Sequence, residues 1–264
     1  MTILITGANG FVANHIAKTL HTHGYRLILL DSVFDHDHKT FWTNRQVVLL
    51  EHDLLHLQQP LKADVIIHAA AITADAGELG LSAETYLQNS LELNFHMLSW
   101  AKANAIKRFI FISSAGVFAA HQSNLDETAL PQSKGLYAIA KRTTEDLIET
   151  LASTEQLDFL SVRLGNVYGE DERPRPSRPR VSLLQRMLDM AILNRVIQVP
   201  NETPRDWTYA PDIANLFLRL VETPLLNYRL YHLVSPQHFS ALELAQKIQA
   251  HLPPSKLERS TTPL

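Results

Sequence analysis

With 264 residues, 45% of them apolar and 19% charged, the chain has the composition of an ordinary globular protein with room for one large core, or for a main domain carrying a small one. A formal net charge of -3, with concentrated basic charge only near 173–180, argues against nucleic acid as a partner. There is no cysteine, which excludes disulfides and thiolate chemistry, and no apolar run long enough to span a membrane, so a cytoplasmic protein is expected. The first element is a short apolar strand, Ile3-Leu4-Ile5, followed by a small-residue turn at Gly7-Ala8-Asn9-Gly10 and a helix through Ile16 and Leu20. Such a turn lets the backbone approach a pyrophosphate while the helix start directs N–H groups at it. The next strand, Arg26 to Leu30, ends at Asp31, the distance at which an acid can hold an adenosine ribose. That carboxylate would repel a 2′-phosphate, so NAD is expected over NADP, although Arg45 softens the preference.

A polar insert, Asp35 to Lys39, precedes a third strand at Val47–Leu50 and a fourth at Val65–Ile67 that runs into His68-Ala69-Ala70. Residues 72–83 read as a loop, and Tyr86, Leu87, Leu91, Phe95 and Leu98 recur at helical spacing over 84–104. A fifth strand, Phe109 to Ile112, delivers Ser113-Ser114 to the same sheet edge; a helix from Leu136 to Thr150 and a sixth strand, Phe159 to Leu164, follow. Short apolar strands alternating with helices predict a parallel sheet covered on both faces, a Rossmann-type doubly wound α/β fold with a small C-terminal α/β substrate region. The expected division is a dinucleotide-binding domain over 1–168, its sheet completed by segments near 196–220, and a substrate region made of 169–195 and 221–264.

Residues 171–180 are a proline-broken basic loop, followed by a helix over Val181–Leu193 and a strand near Val196–Val199. Arg205 to Tyr209 lead into a helix entered at Pro211. Tyr231–Val234 form a strand, Ser240 and Glu243 a capping box, Pro253-Pro254 a helix stop, and the tail beyond Ser255 is expected to fray. Arg173, Arg175, Arg178 and Arg180 suit a phosphate or carboxylate, or a solvated loop; Asp35-His36-Asp37-His38 carries metal-type donors, but adjacent loop residues rarely converge and no metal is expected.

Tyr137 and Lys141 are four apart, hence on one helical face, one helix after the strand that ends in the serines. A phenol has a reference pKa near ~10, and a neighbouring ammonium lowers it. With a serine hydroxyl sharing the substrate oxygen, such a trio removes a proton from a carbinol as hydride leaves its carbon.

Taken with Gly7-x-x-Gly10-x-x-Ala13, these residues resemble the extended short-chain dehydrogenase/reductase family of NAD-dependent sugar epimerases, dehydratases and reductases, over about residues 1–234. The resemblance implies cofactor contacts from Gly7, Asn9, Gly10, Phe11, Val12 and Asp31. It extends them to Asp53-Leu54 at adenine, His68-Ala69-Ala70 along the cofactor, Asn89 as the buried asparagine of the central helix, Ser113, Tyr137, Lys141, and Asn166-Val167. It implies Ser114, Tyr137 and Lys141 as the catalytic set, and Ser114, Asn166 and Arg205 toward substrate. It also implies a homodimer through the helices near 84–104 and 136–151. Ala115-Gly116 stand where the family's 4,6-dehydratases carry an Asp-Glu pair, and the Cys of its double epimerases is missing. Three readings remain: a dehydrogenase acting on a carbinol of a sugar, sugar acid or related small polyol; a nucleotide-sugar epimerase with tightly bound NAD; and a non-catalytic cofactor-binding or structural protein. The short C-terminal region favours a smaller sugar or sugar acid.

Overall fold

A computed structural model describes residues 1–119, 122, 125–175, 178–201, 204–252 and 256–260. The chain divides into two compact units, Met1–Leu164 with Pro211–Leu233, and Gly165–Ala210 with Val234–Leu264.

The first unit contains, in chain order, β1 (Thr2–Thr6), α1 (Phe11–Thr22), β2 (Arg26–Asp31), α2 (His36–Trp42), β3 (Val48–Glu51), β4 (Val65–His68), α3 (Ala83–Ala103), β5 (Arg108–Ser114), α4 (Leu136–Thr154) and β6 (Phe159–Leu164). After an excursion through β7 (Asn166–Tyr168), α5 (Leu183–Ile192), β8 (Ile197–Pro200) and β9 (Arg205–Tyr209), it regains α6 (Ala210–Glu222) and β10 (Leu230–Leu233). The remaining elements are β11 (His238–Phe239), α7 (Ala241–His251) and β12 (Leu257–Ser260). Seven strands form one sheet in the order β10-β6-β5-β4-β1-β2-β3, and every neighbouring pair runs parallel. Ile3, Leu4, Ile5, Ile66, Phe109 and Phe159 are wholly buried, as central strands covered on both faces require. Met97, Leu98 and Trp100 of α3 and Ile148 of α4 pack into the same core. Reversal of strand order between β1 and β4 opens the crevice at the strand C-terminal ends where such sheets bind ligands.

In the second unit β9 lies between antiparallel β11 and parallel β7, while β8 pairs with β12. Met187, Ile197, Trp207, Ala245 and Ile248 form its own core. Ser182 caps α5 by accepting from Gln185 N, and the Ser240–Glu243 capping box at α7 is present with both of its bonds.

Several expectations are corrected. The seventh strand of the large sheet is Leu230–Leu233, not a segment of 196–220; Ile197–Pro200 belongs to the second unit, and 221–233 to the first. Leu257–Ser260 is not frayed but paired with β8, and Arg205–Tyr209, given no element from the sequence, is a strand. Asp35 to Lys39 is no insert loop: the Asp35 carboxylate accepts from His38 N at 2.9 Å and caps α2. The expected stop at Pro253-Pro254 lies outside the described residues. Among the described residues no helix is long and apolar enough to cross a membrane.

Candidate active site

Gly7 has φ +64, and a Cβ there would lie 2.6 Å from both Cα and N of Ala70, so backbone hand and close packing each demand glycine. The turn is closed by Gly10 N donating to Gly7 O at 2.8 Å. Gly10 then caps α1 in an extended conformation without a side chain over the helix start. Asn9 N donates to Asp31 Oδ2 at 2.9 Å, which ties the end of β2 to the turn. Asn9 is buried, yet its Oδ1 has no hydrogen-bond partner. A side-chain-free helix start, an orphaned polar oxygen and a carboxylate beside the turn fit a dinucleotide. Phe11 is packed edge-on to His15 at 5.4 Å between ring centres and Val12 is half-buried. Asp53 accepts from Leu55 N at 3.0 Å and pairs with His56, with Leu54 buried beside it.

Ala69-Ala70, against which Gly7 is pressed, is fixed by a buried hydrogen-bond chain that begins on β4. His68 Nδ1 meets Thr6 Oγ1 at 2.6 Å and Nε2 meets Asn94 Oδ1 at 3.1 Å; Asn94 Nδ2 donates to Thr144 Oγ1 at 2.9 Å, and Thr144 Oγ1 to Ala140 O at 2.9 Å. This direction assigns the proton to His68 Nε2 and makes Nδ1 the acceptor. Burial holds His68 neutral, its pKa lowered to about 3. The buried asparagine of α3 is therefore Asn94; Asn89, assigned that place from the sequence, is only half-buried.

Ser114 ends β5 and its Oγ accepts from Gly116 N at 3.0 Å, leaving the hydroxyl proton for another acceptor. A Cβ on Gly116 would lie 3.1 Å from Ser114 Oγ and 3.8 Å from Tyr137 Cε1, so these two side chains flank one small residue. Lys141 Nζ is 5.6 Å from the centre of the Tyr137 ring and 4.6 Å from that of Phe111, and it donates to Ile112 O at 2.7 Å. Burial lowers the pKa of Lys141 to about 7, against the opposing pull of Glu145. The structure thus brings Ser114, Tyr137 and Lys141 together at the end of β5. It turns Ser113 away: that hydroxyl is buried and donates to Glu145 Oε1, which corrects its assignment as a cofactor contact. Adjacent strand residues face opposite sides, so only one of the two serines can serve the site.

Asn166, Val167 and Arg205 belong to the second unit. Asn166 N donates to Asp206 Oδ2 at 3.2 Å, and a Cβ on Gly165 would fall 1.6 Å from that oxygen, so a side chain there would displace the Asp206 carboxylate. Burial raises the pKa of Asp206. Arg205 is exposed at the start of β9. The basic loop is anchored by Glu172, to which no sequence motif points. Its buried carboxylate accepts from Arg178 Nη2 at 2.8 Å and from Ser182 N and Oγ, both at 2.7 Å. Asn94, Thr144 and Glu145 likewise stand in no motif read from the sequence. Of these only Glu145 carried a local signal, four residues beyond Lys141.

The model of the NAD dependent epimerase/dehydratase family matches residues 3–232. The chain belongs to this family. It is accordingly an enzyme of the extended short-chain dehydrogenase/reductase type, as the sequence motifs implied. A probable UDP-glucuronate 4-epimerase of Rhizobium meliloti is 25% identical over 252 residues, covering 85% of this chain and 69% of the relative. A dTDP-4-dehydro-6-deoxy-D-allose reductase of Streptomyces bikiniensis is 25% identical over 276 residues, covering 95% and 81%. Among solved structures, the UDP-glucuronic acid 4-epimerase of Bacillus cereus in complex with UDP-glucuronic acid and NAD superposes with a TM-score of 0.81 at 19% identity, covering 98% of this chain and 86% of that one.

Proposed function

We propose that this enzyme inverts one carbinol of a nucleotide-linked sugar, with NAD held through the cycle. The observation that carries the reading is the convergence of Ser114 and Tyr137 on Gly116, with buried Lys141 behind the tyrosine ring. When bound, NAD supplies a reversible acceptor for hydride. Tyr137 takes the carbinol proton, Ser114 donates to the developing carbonyl oxygen, and the Lys141 ammonium favours the phenolate and would hold a ribose hydroxyl of the bound cofactor. Asp31 suits the unphosphorylated ribose of NAD better than NADP. Asn166 and Arg205 are assigned to substrate. The names of the relatives weigh toward a nucleotide sugar over a smaller sugar acid. A homodimer through α3 and α4 rests on the family resemblance alone.

The test is a panel of UDP- and dTDP-sugars followed by NMR for configurational inversion, together with mass spectrometry of small molecules released on denaturation. Inversion without net cofactor reduction, and copurified NAD, are expected, with turnover falling about 100-fold or more in Tyr137→Phe. Stoichiometric release of a keto sugar with reduced cofactor would replace this reading by the oxidoreductase one, which the Streptomyces relative favours. Turnover untouched in Tyr137→Phe would remove the catalytic assignment.

A further inference from the structure

One helical turn beyond Lys141, Glu145 is buried and clamped. Its Oε1 accepts from Ser113 Oγ and from Arg163 Nε at 3.0 Å, and its Oε2 from Arg163 Nη2 at 2.7 Å. The side chains of Glu145 and Arg163 are 7% and 4% exposed. Arg163 Nη1 meets His232 Nε2 at 3.2 Å, and its guanidinium carbon lies 4.9 Å from the centre of the Phe118 ring. The carboxylate is thus held from β5 and from β6, with no freedom to swing to solvent.

Stability is a weak reason to keep such a pair, because desolvation offsets most of the attraction and well-packed apolar residues do as well. The arrangement is lopsided in a way that suggests another use. Glu145 shares the helix with Lys141, whereas Arg163 grips it from the neighbouring strand. The carboxylate is the charge that opposes the loss of the Lys141 proton. The other titratable groups around Lys141 are Tyr137 on the same helix and His68 on β4, which is neutral; Arg163 and His232 stand behind Glu145 on β6 and β10.

We propose that Glu145 is a positioning residue of the reaction: its clamped carboxylate keeps Lys141 in the ammonium form beside Tyr137, with Ser113 and Arg163 holding the carboxylate in place. The proposal rests on the roles assigned above to Tyr137 and Lys141. It gives Ser113 a function that its position next to Ser114 hides.

The experiment follows the protonation of Lys141 by NMR of protein labelled with lysine carrying carbon-13 at Cε, its resonance assigned by loss in Lys141→Met. Glu145→Gln is expected to lower the ammonium-to-amine ratio at a given pH by at least about tenfold, one pH unit in the midpoint. Glu145→Asp, which retains the charge, stays near wild type. If Glu145→Gln does not fold, the double variant Glu145→Gln/Arg163→Met removes both charges together and is expected to shift the midpoint the same way. In active enzyme the alkaline fall of kcat moves to lower pH in Glu145→Gln; a merely structural role would scale the profile without moving it. A Lys141 midpoint that stays at the wild-type value, or that moves as far in Glu145→Asp, overturns the proposal. The titration needs no substrate, so a wild type inactive on every sugar would count against the functional reading and leave the Lys141 shift to be read independently.

Discussion

Replacing Lys141 by methionine should stabilise the protein at neutral pH while removing its activity. In the unfolded chain the ammonium has its ordinary pKa of 10.5, whereas burial in the folded chain lowers it to about 7. At pH 7 this difference opposes folding by ~4 kcal/mol. Methionine fills a similar volume without a charge, but it leaves Ile112 O without the donor now 2.7 Å away, a loss of about 1–3 kcal/mol. The net expectation is a gain of ~2 kcal/mol, or about 4–8 °C in melting temperature. The sign reverses with pH. Between the folded and unfolded values the unfolded chain binds the extra proton, so wild-type stability rises as pH increases from about 7 toward 10.5 and the penalty disappears. Near the upper end only the lost hydrogen bond remains, and the variant should be the less stable of the two. Urea denaturation of both proteins across this range measures the difference directly. A difference that does not change with pH would refute the reasoning, because it would mean that Lys141 carries its full charge in the folded protein.

Gly7→Ala places a methyl group 2.6 Å from the Ala70 backbone at φ +64, and calorimetric NAD binding should weaken by at least about tenfold; unchanged affinity would remove the glycine turn from the cofactor site. Gly165→Ala should cost at least about 2 kcal/mol and speed hydrogen exchange of the Asn166–Tyr168 amides, because its Cβ overlaps Asp206; adding Asp206→Ala should restore much of the loss. His68 is neutral when folded, with its pKa lowered from 6.5 to about 3, so its contribution is complete above pH 6.5 and is lost as pH falls toward 3. At pH 5 this amounts to ~2 kcal/mol, and a His68→Gln variant should show a correspondingly flatter dependence of stability on pH between 6.5 and 5.

The main features legible in the sequence were those whose physics is local. The turn at Gly7 follows from backbone sterics, the strands β1, β4 and β5 from apolar runs, and the shared face of Tyr137 and Lys141 from helical spacing. The capping box at Ser240 is equally local. Two errors also had local remedies. Ser113 and Ser114 are adjacent on a strand, and period-two alternation sends one of them inward to Glu145. Asn89 and Asn94 are five residues apart, a rotation of about 140° on a helix, so the two could not share one buried face. The short second-unit strands were harder: Leu257–Ser260 is largely polar and becomes a strand only because β8 offers its edge. Asp35 and its neighbours read as polar loop because a seven-residue helix carries too little periodicity to be recognised.

By itself the sequence determined the hand of the glycine turn, the acid at the end of β2, the Tyr137–Lys141 spacing and, through its motifs, the family. Only the tertiary structure decided what surrounds Lys141, which strand completes the sheet after β6, and which glycine must admit Asp206. The physical reason is that an amphipathic period specifies which face is buried, whereas the partner on that face is set by strand order and register. Those bring Ser113, Glu145, Arg163 and His232 together from β5, α4, β6 and β10.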